Sequence, residues 1–148
     1  MDNLFDKTNS FDIMTDTDGV AAEVGKITHE MKLNPSPFAM IKSGRKNIEL
    51  RLYDERRKNI RVGDDIIFTH TESGERMCAT VKGLHIFASF DELYKNLPLL
   101  QCGYTPEDVD MAKPSDMNQY YTPEQQSMHG VVGIELLPPK MLEDKQCT

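Results

Sequence analysis

Short segments in which apolar and polar residues alternate recur along the chain, and a period of two predicts β-strands. HEMKL carries Met31 and Leu33 on one face, and KNIELRLY carries Ile48 and Leu50 in the same way. Further strands are predicted in DIIFTH, in VVGIELL, and in ERMCATVKGLHIFA with a bulge or bend at Gly83. The pattern therefore indicates five or six short strands.

Helices are predicted between these strands, where capping residues flank an apolar stripe. NPSPFAMIKSG offers Asn34 as its N-cap, Pro35 in its first turn and Gly44 as a left-handed C-terminal residue. SFDELYKNLP opens on a capping box made by Ser89 and Glu92. TPEDVDMAK and TPEQQSMHG each open on a Thr-Pro pair, which also predicts a helix start. A few short helices around short strands are typical of an α+β domain with a small, curled sheet or barrel.

The chain of 148 residues is long enough for one domain with tails. We expect an acidic tail or a loosely docked extension over residues 1–28, the domain over 29–137, and a C-terminal tail over 138–148. No apolar run approaches the ~20 residues of a membrane span, and the N-terminus lacks the basic start and apolar stretch of a signal peptide. A cytoplasmic protein without a membrane partner is therefore expected.

Charge is distributed unevenly along the chain, whose net charge is −7. An acidic protein is not suited to coating nucleic acid indiscriminately, which requires a basic face. One short stretch, residues 42–61, is nevertheless basic, which predicts a local anion site. Its bases and acids are Lys42, Arg45, Lys46, Arg51, Arg56, Arg57, Lys58 and Arg61 against Glu49, Asp54 and Glu55.

Metal binding is not indicated by the cysteines and histidines. Cys78, Cys102 and Cys147 are far apart in the chain, and no C-x-x-C pair occurs. An odd number of cysteines also argues against a disulfide framework. We expect no metal and no cofactor.

The candidate site lies in the basic stretch, on the predicted strand KNIELRLY. Glu49 and Arg51 are two residues apart and therefore share one face of the strand, and Lys46 enters from the preceding turn. Lys46 and Arg51 are suited to holding a phosphate, while Glu49 orients Arg51 or accepts a hydrogen bond from a base or ribose hydroxyl. The alternative is a solvated surface ion pair that contributes ~0–1 kcal/mol.

Aromatic and basic residues near this strand extend the hypothesis. Tyr53 is a candidate for stacking a base, as is either member of the distant pair Tyr120 and Tyr121. Arg45 precedes the candidate site, and a further basic run follows the strand directly. That run, Arg56, Arg57, Lys58 and Arg61, is either a positive rim of the cleft or ordinary solvated surface.

Residues 44–51, GRKNIELR, resemble the G-x-K-x-x-E-x-R signature of ASCH domains, the activating-signal-cointegrator homology family. The segments HEMKLNPSPFAMIKSG, RVGDDIIF, GLHIFASFDELYKNLP and YYTPEQQSMHGVVGIEL are similar to bacterial members, so the resemblance covers roughly residues 29–137. It implies a PUA-like β-barrel of about six strands with helices around it. It also implies binding of RNA or a nucleotide-like small molecule in a charged cleft that contains Lys46, Glu49 and Arg51.

The resemblance also implies an alternative, a hydrolase that acts on RNA or on a modified nucleoside. Some small ASCH proteins are amidohydrolases on N4-acetylcytidine and use a lysine and a threonine of the signature with a more distant glutamate. Lys46 matches that lysine, but Glu49 stands where the threonine nucleophile is expected. If the protein is an enzyme, Lys46 and Glu49 are the expected catalytic pair for general acid–base chemistry.

Overall fold

The computed structural model describes residues 25–143, which contain six strands, three α-helices and four short 3-10 helices. The strands are β1 (Thr28–Leu33), β2 (Ile48–Leu52), β3 (Asp65–His70), β4 (Arg76–Phe87), β5 (Val131–Leu136) and β6 (Lys140–Leu142). The α-helices are α1 (Pro35–Ser43), α2 (Phe90–Asn96) and α3 (Pro123–His129). The 3-10 helices are Arg57–Asn59, Leu99–Cys102, Val109–Met111 and Pro114–Gln119.

The strands form one mixed sheet in the order β1-β3-β4-β5-β2, and β6 pairs with β4. β1 and β3 are parallel, and the other pairs are antiparallel. β4 joins the two halves of the sheet, because its first part pairs with β3 and its second part with β5. The register shifts between Val81 and Gly83, where a bulge or bend was expected. The sheet curls into a half-barrel, which confirms the predicted fold class.

The predicted helix ends are confirmed with one change. Gly44 has a φ of 88° and ends α1 in the left-handed conformation. At the start of α2, Ser89 Oγ accepts a hydrogen bond of 3.3 Å from the Glu92 N–H. Asn34 occupies the N-cap position of α1, but its side chain makes no capping bond, and its Oδ1 instead accepts from the Thr71 hydroxyl at 3.1 Å.

One connection and the C-terminal segment differ from what the sequence predicts. TPEDVDMAK forms turns and a single 3-10 turn instead of a helix, and Asp108 Oδ1 accepts from the Thr105 N–H. Lys140–Leu142 pairs with Arg76–Cys78, so the C-terminal segment holds a strand where a tail was expected. Most of the expected N-terminal tail, residues 1–24, lies outside the described residues.

The buried side chains form two apolar clusters, and β5 contributes to both. Val132, Ile134 and Leu136 belong to the first cluster, with residues of β1, α1, β3 and β4. The second cluster packs the apolar face of β2 against α2, Cys102 and Met117. β2 is therefore covered on its apolar face by α2 and the segment that follows it, and its Glu49-bearing face is also buried.

Gly133 lies where β2, β5 and α2 meet, and its lack of a side chain permits this close packing. A Cβ at this position would lie 2.7 Å from Leu97 Cδ1 and 3.1 Å from Ile48 Cγ2. Gly133→Ala should therefore lower the free energy of unfolding by about 1–3 kcal/mol through overpacking. Denaturant unfolding checks this, with Gly25→Ala as the control, because its Cβ would meet no described atom nearer than 3.9 Å. Equal stability of the two variants would contradict the packing account.

Within residues 25–143, no helix combines the length and apolar character that crossing a membrane requires.

Candidate functional site

The turn between α1 and β2 places Lys46 beside the first residues of the strand. After the left-handed Gly44, the Lys46 N–H bonds to Met40 O at 3.1 Å, and the Asn47 N–H bonds to Gln101 O at 3.0 Å. The second bond ties the turn to the 3-10 helix Leu99–Cys102. Lys46 is therefore held by backbone contacts on both sides.

Lys46, Glu49 and Arg51 form a compact group of charges, here called the ion triad. Lys46 Nζ lies 2.8 Å from Glu49 Oε1, and Arg51 Nε donates to Glu49 Oε2 at 2.7 Å. Arg51 Nη2 also donates to the backbone oxygen of Lys32 in β1 at 3.0 Å. Since β1 and β2 are the two ends of the strand order, the Arg51 side chain bridges the open seam of the half-barrel.

The ion triad is mostly removed from water. The exposed fractions of the side chains are 6% for Glu49, 11% for Lys46 and 14% for Arg51. Burial by itself raises the pKa of Glu49, but the charges and hydrogen bonds of Lys46 and Arg51 outweigh it, so the pKa lies below its usual range. Burial by itself lowers the pKa of Arg51. The charge and the hydrogen bond of Glu49 outweigh this effect, so the pKa of Arg51 lies above its usual range. With all three groups ionised, the ion triad carries a net charge of +1.

A cavity of about 570 Å³ opens over the ion triad. Its lining includes Lys32–Asn34 and the first residues of α1 on one side and the segment 102–121 on the other. Gly103 lies directly against Lys46, because a Cβ there would sit 3.5 Å from Lys46 Cδ and 3.7 Å from Lys46 Nζ. Its φ of 118° is also one that favours glycine. The far wall of the cavity therefore passes next to Lys46 at Gly103.

The far wall contains a chain of hydrogen bonds, here called the tyrosine relay. The Tyr104 hydroxyl donates to Asp116 Oδ2 at 2.7 Å, and the hydroxyls of Tyr94 and Tyr104 lie 2.7 Å apart. Asp116 Oδ2 also accepts from the Lys113 N–H at 3.1 Å. Hydrogen bonds from Tyr104 and from the Lys113 backbone lower the pKa of Asp116, and burial raises the pKa values of Tyr94 and Tyr104. The carboxyl is therefore ionised at neutral pH, and both phenols keep their protons.

Cys102 is a buried thiol in the cavity lining, near Lys46 and Glu49. Burial raises its pKa to about 11, an effect that the Lys46 charge partly offsets. The thiol is therefore protonated at neutral pH, and a protonated thiol is a poor nucleophile. Its place in the second apolar cluster gives it a packing role.

The cavity brings together some of the sequence-predicted residues and leaves others out. Lys46, Glu49, Arg51, Tyr120 and Tyr121 line it. The residues that do not line it are Arg45 and Arg56, which are exposed; Arg57, which pairs with Asp54 at 3.0 Å; and Tyr53, which packs against the first apolar cluster. The geometry therefore supports a site narrower than the whole basic stretch.

The sequence patterns did not single out Tyr94, Tyr104 or Asp116. Tyr94 lies on α2, Tyr104 follows a 3-10 helix, and Asp116 belongs to another, so no local spacing links them. Only the folded chain places their side chains in one hydrogen-bonded row.

A family model for the ASCH domain matches residues 31–140, so the chain belongs to the ASCH domain family. Hypothetical protein PH0355, known from a crystal structure, is 34% identical to this chain. The match covers 75% of this chain and 98% of that one, with a TM-score of 0.61. No curated protein matches the sequence.

Two further solved structures extend the comparison. Protein PF0455 from Pyrococcus furiosus, solved by NMR, is 28% identical over 78% of this chain and 98% of its own, with a TM-score of 0.55. ASCH from Zymomonas mobilis is 13% identical to this chain, and the match covers 79% of this chain and 73% of that one, with a TM-score of 0.54. At this identity the comparison shows likeness of fold alone. The resemblance to ASCH domains and the PUA-like fold predicted from the sequence are both confirmed.

Proposed function

We propose that this ASCH domain binds RNA, through one nucleotide unit, in the cavity over the ion triad, with a phosphate against Lys46 and Arg51. The observation that carries the proposal is the net positive charge of three mostly buried groups that line a cavity of about 570 Å³. An uncompensated buried charge favours a ligand of the opposite sign, and charge-assisted hydrogen bonds to phosphate are among the stronger ones. The family's link to RNA binding agrees with this choice.

Lys46 and Arg51 contribute to this site in different ways. Arg51 is fixed at both ends, since its Nε donates to Glu49 and its Nη2 donates to Lys32 O. Arg51 therefore supplies a rigidly held positive charge, and the remaining N–H groups of its planar guanidinium can donate to a ligand. Lys46 Nζ carries three N–H groups and forms an ion pair with Glu49 Oε1 at 2.8 Å. Lys46 can therefore adjust its position to donate hydrogen bonds to a phosphate more readily than Arg51 can.

Aromatic side chains at the cavity supply a surface for the base. Tyr120 is 62% exposed and lines the cavity, and its ring centroid lies 6.4 Å from that of Tyr121. Tyr121 in turn stacks on Phe90 at 6.3 Å with an interplanar angle of 16°. Stacking on an aromatic ring tolerates any base and contributes about 1–3 kcal/mol. Tyr120 backed by Tyr121 is therefore suited to hold an unstacked base.

Hydrolysis is the alternative function, and the geometry supports it less well. Both carboxylate oxygens of Glu49 are engaged by cations, and its lowered pKa makes it a weak proton acceptor. The thiol of Cys102 in the cavity lining is protonated at neutral pH. Incubation with short single-stranded RNAs and with N4-acetylcytidine, followed by product analysis, tests this alternative directly. If the wild-type protein turns over a substrate and Lys46→Ala abolishes this turnover, the protein is a hydrolase and the binding proposal is wrong.

Calorimetric titration with CMP, with cytidine and with short single-stranded RNAs tests the proposed binding. CMP should bind more tightly than cytidine by about 10–100-fold, because only CMP supplies the phosphate. The affinity for RNA should fall with salt with a modest slope, since the site offers few cations. Absence of binding by CMP and RNA at low salt, with the fold intact, would overturn the proposal.

A further inference from the structure

We propose that Tyr94, backed by Tyr104 and Asp116, is a specificity-determining residue that accepts a hydrogen bond from the exocyclic amino group of the bound base. The site then takes amino-bearing bases, cytosine and adenine, in preference to their keto counterparts, uracil and hypoxanthine. This inference rests on the proposed function, and it assigns the tyrosine relay a role that the ion triad cannot fill.

The direction of the hydrogen bonds follows from the ionised end of the tyrosine relay. A carboxylate has no proton to give, so Asp116 accepts and Tyr104 donates. The one hydroxyl proton of Tyr104 is thereby used, and its oxygen must accept from the Tyr94 hydroxyl at 2.7 Å. The hydroxyl proton of Tyr94 is used in this hydrogen bond to Tyr104. What Tyr94 offers to a ligand is therefore an oxygen that can only accept.

Two walls of opposite hydrogen-bonding character thus face one cavity. Lys46 and Arg51 present donors, and the tyrosine relay presents acceptors. The two walls are adjacent, because a Cβ on Gly103 would touch the Lys46 side chain and Gly103 directly precedes Tyr104. A ligand that complements both walls carries an acceptor or anionic group at one end and an N–H donor at the other.

Among bases, the amino group meets this requirement and the keto group does not. Cytosine carries an N–H₂ donor where uracil carries an acceptor oxygen, and adenine differs from hypoxanthine in the same way. A keto oxygen placed against Tyr94 would bring two acceptors together and leave both without a proton. Leaving a buried polar group unpaired costs more than the bond itself is worth.

The test compares the affinities of CMP and UMP, and of AMP and IMP, by calorimetry for four proteins. These are the wild-type chain, Tyr94→Phe, Tyr104→Phe and Thr80→Val. Thr80→Val is the matched control, because it also removes a hydroxyl that donates to an aspartate, Asp65, at 2.8 Å, at a place outside the cavity lining. The wild-type protein and the control should prefer the amino-bearing member of each pair by about tenfold.

The two tyrosine variants should remove this preference by opposite routes. Tyr94→Phe loses the acceptor, so CMP should weaken to the affinity of UMP. Tyr104→Phe frees the Tyr94 hydroxyl to turn and donate, so UMP should strengthen toward CMP. A merely structural role would instead weaken both nucleotides in parallel.

Each outcome separates this inference from the proposed function. Equal binding of CMP and UMP by the wild-type protein would overturn the inference and leave the nucleotide site standing. A preference that persists in Tyr104→Phe would show that the relay does not fix the direction of the Tyr94 hydroxyl, which also overturns it. Failure of all four nucleotides to bind would overturn this inference, and failure of a short RNA to bind as well, at low salt, would overturn the proposed function itself.

Discussion

Replacing Glu49 with glutamine should lower the free energy of unfolding by about 3–5 kcal/mol, because two mostly buried cations would lose their common counter-charge. Chemical denaturation of both proteins at neutral pH measures the difference. Glu135→Gln is the matched control, since Glu135 is also a strand glutamate that pairs with Lys82 and His85, but its side chain is 23% exposed. That change should cost less than about 1 kcal/mol. Similar costs for the two variants would contradict the role assigned to burial.

The same carboxylate gives this stability a pH dependence of known sign. The pKa of Glu49 in the folded protein lies below its ordinary value of 4.5, so the folded state favours the ionised form. The resulting stabilisation is complete above the unfolded pKa and is lost as the pH falls through the folded pKa. The difference in stability between the wild-type protein and Glu49→Gln should therefore narrow below about pH 4.5. A difference that stays constant into acid would argue against an ionised Glu49.

Lys46→Met should weaken the binding of CMP by about 10–100-fold, because it removes the most adaptable donor to the phosphate and lowers the net charge of the ion triad from +1 to zero. The methionine keeps most of the apolar stem of the lysine. For a short RNA, the slope of log affinity against log salt should shrink by about one unit. Titration at two salt concentrations measures both effects.

Lys42→Met is the control for this change. Lys42 lies near the end of α1 and pairs with Glu75 at 3.7 Å, and it is not part of the cavity lining. Its loss removes the same formal charge from the protein and should leave the affinity for CMP within about twofold. An equal loss of affinity in both variants would mean that overall charge, and not the cavity, governs binding.

Much of the fold could be predicted from the sequence, because the signals for its strands and helix ends are local. The alternation in KNIELRLY and VVGIELL, and the caps at Ser89 and Gly44, depend on near neighbours in the chain. β6 escaped prediction because three residues are too few to show a period. Its strand conformation comes from pairing with Arg76–Cys78, which is a long-range contact.

Only part of the candidate site could be predicted from the sequence, because only part of it has local signals. The spacing of Lys46, Glu49 and Arg51 placed them together, but alternation alone describes a strand with one solvated face. Glu49 is instead buried, because the sheet curls and the side chains of Lys46 and Arg51 lie against its carboxylate. The tyrosine relay had no local signal, since its members come from α2, from the connection after the 3-10 helix Leu99–Cys102, and from the 3-10 helix Pro114–Gln119.

The pairing of β2 with β5 determines when the site can form during folding. Glu49 lies opposite Ile134, about 85 residues later in the chain, and β2 pairs with no other strand within residues 25–143. During synthesis from the N-terminus, the strand that bears Glu49 and Arg51 must therefore wait for most of the chain before it can join the sheet. Closing so long a loop is entropically costly and slow compared with local pairing. β2 is thus the second of the six described strands to be synthesised, but it can join the sheet only once β5, the fifth, is available.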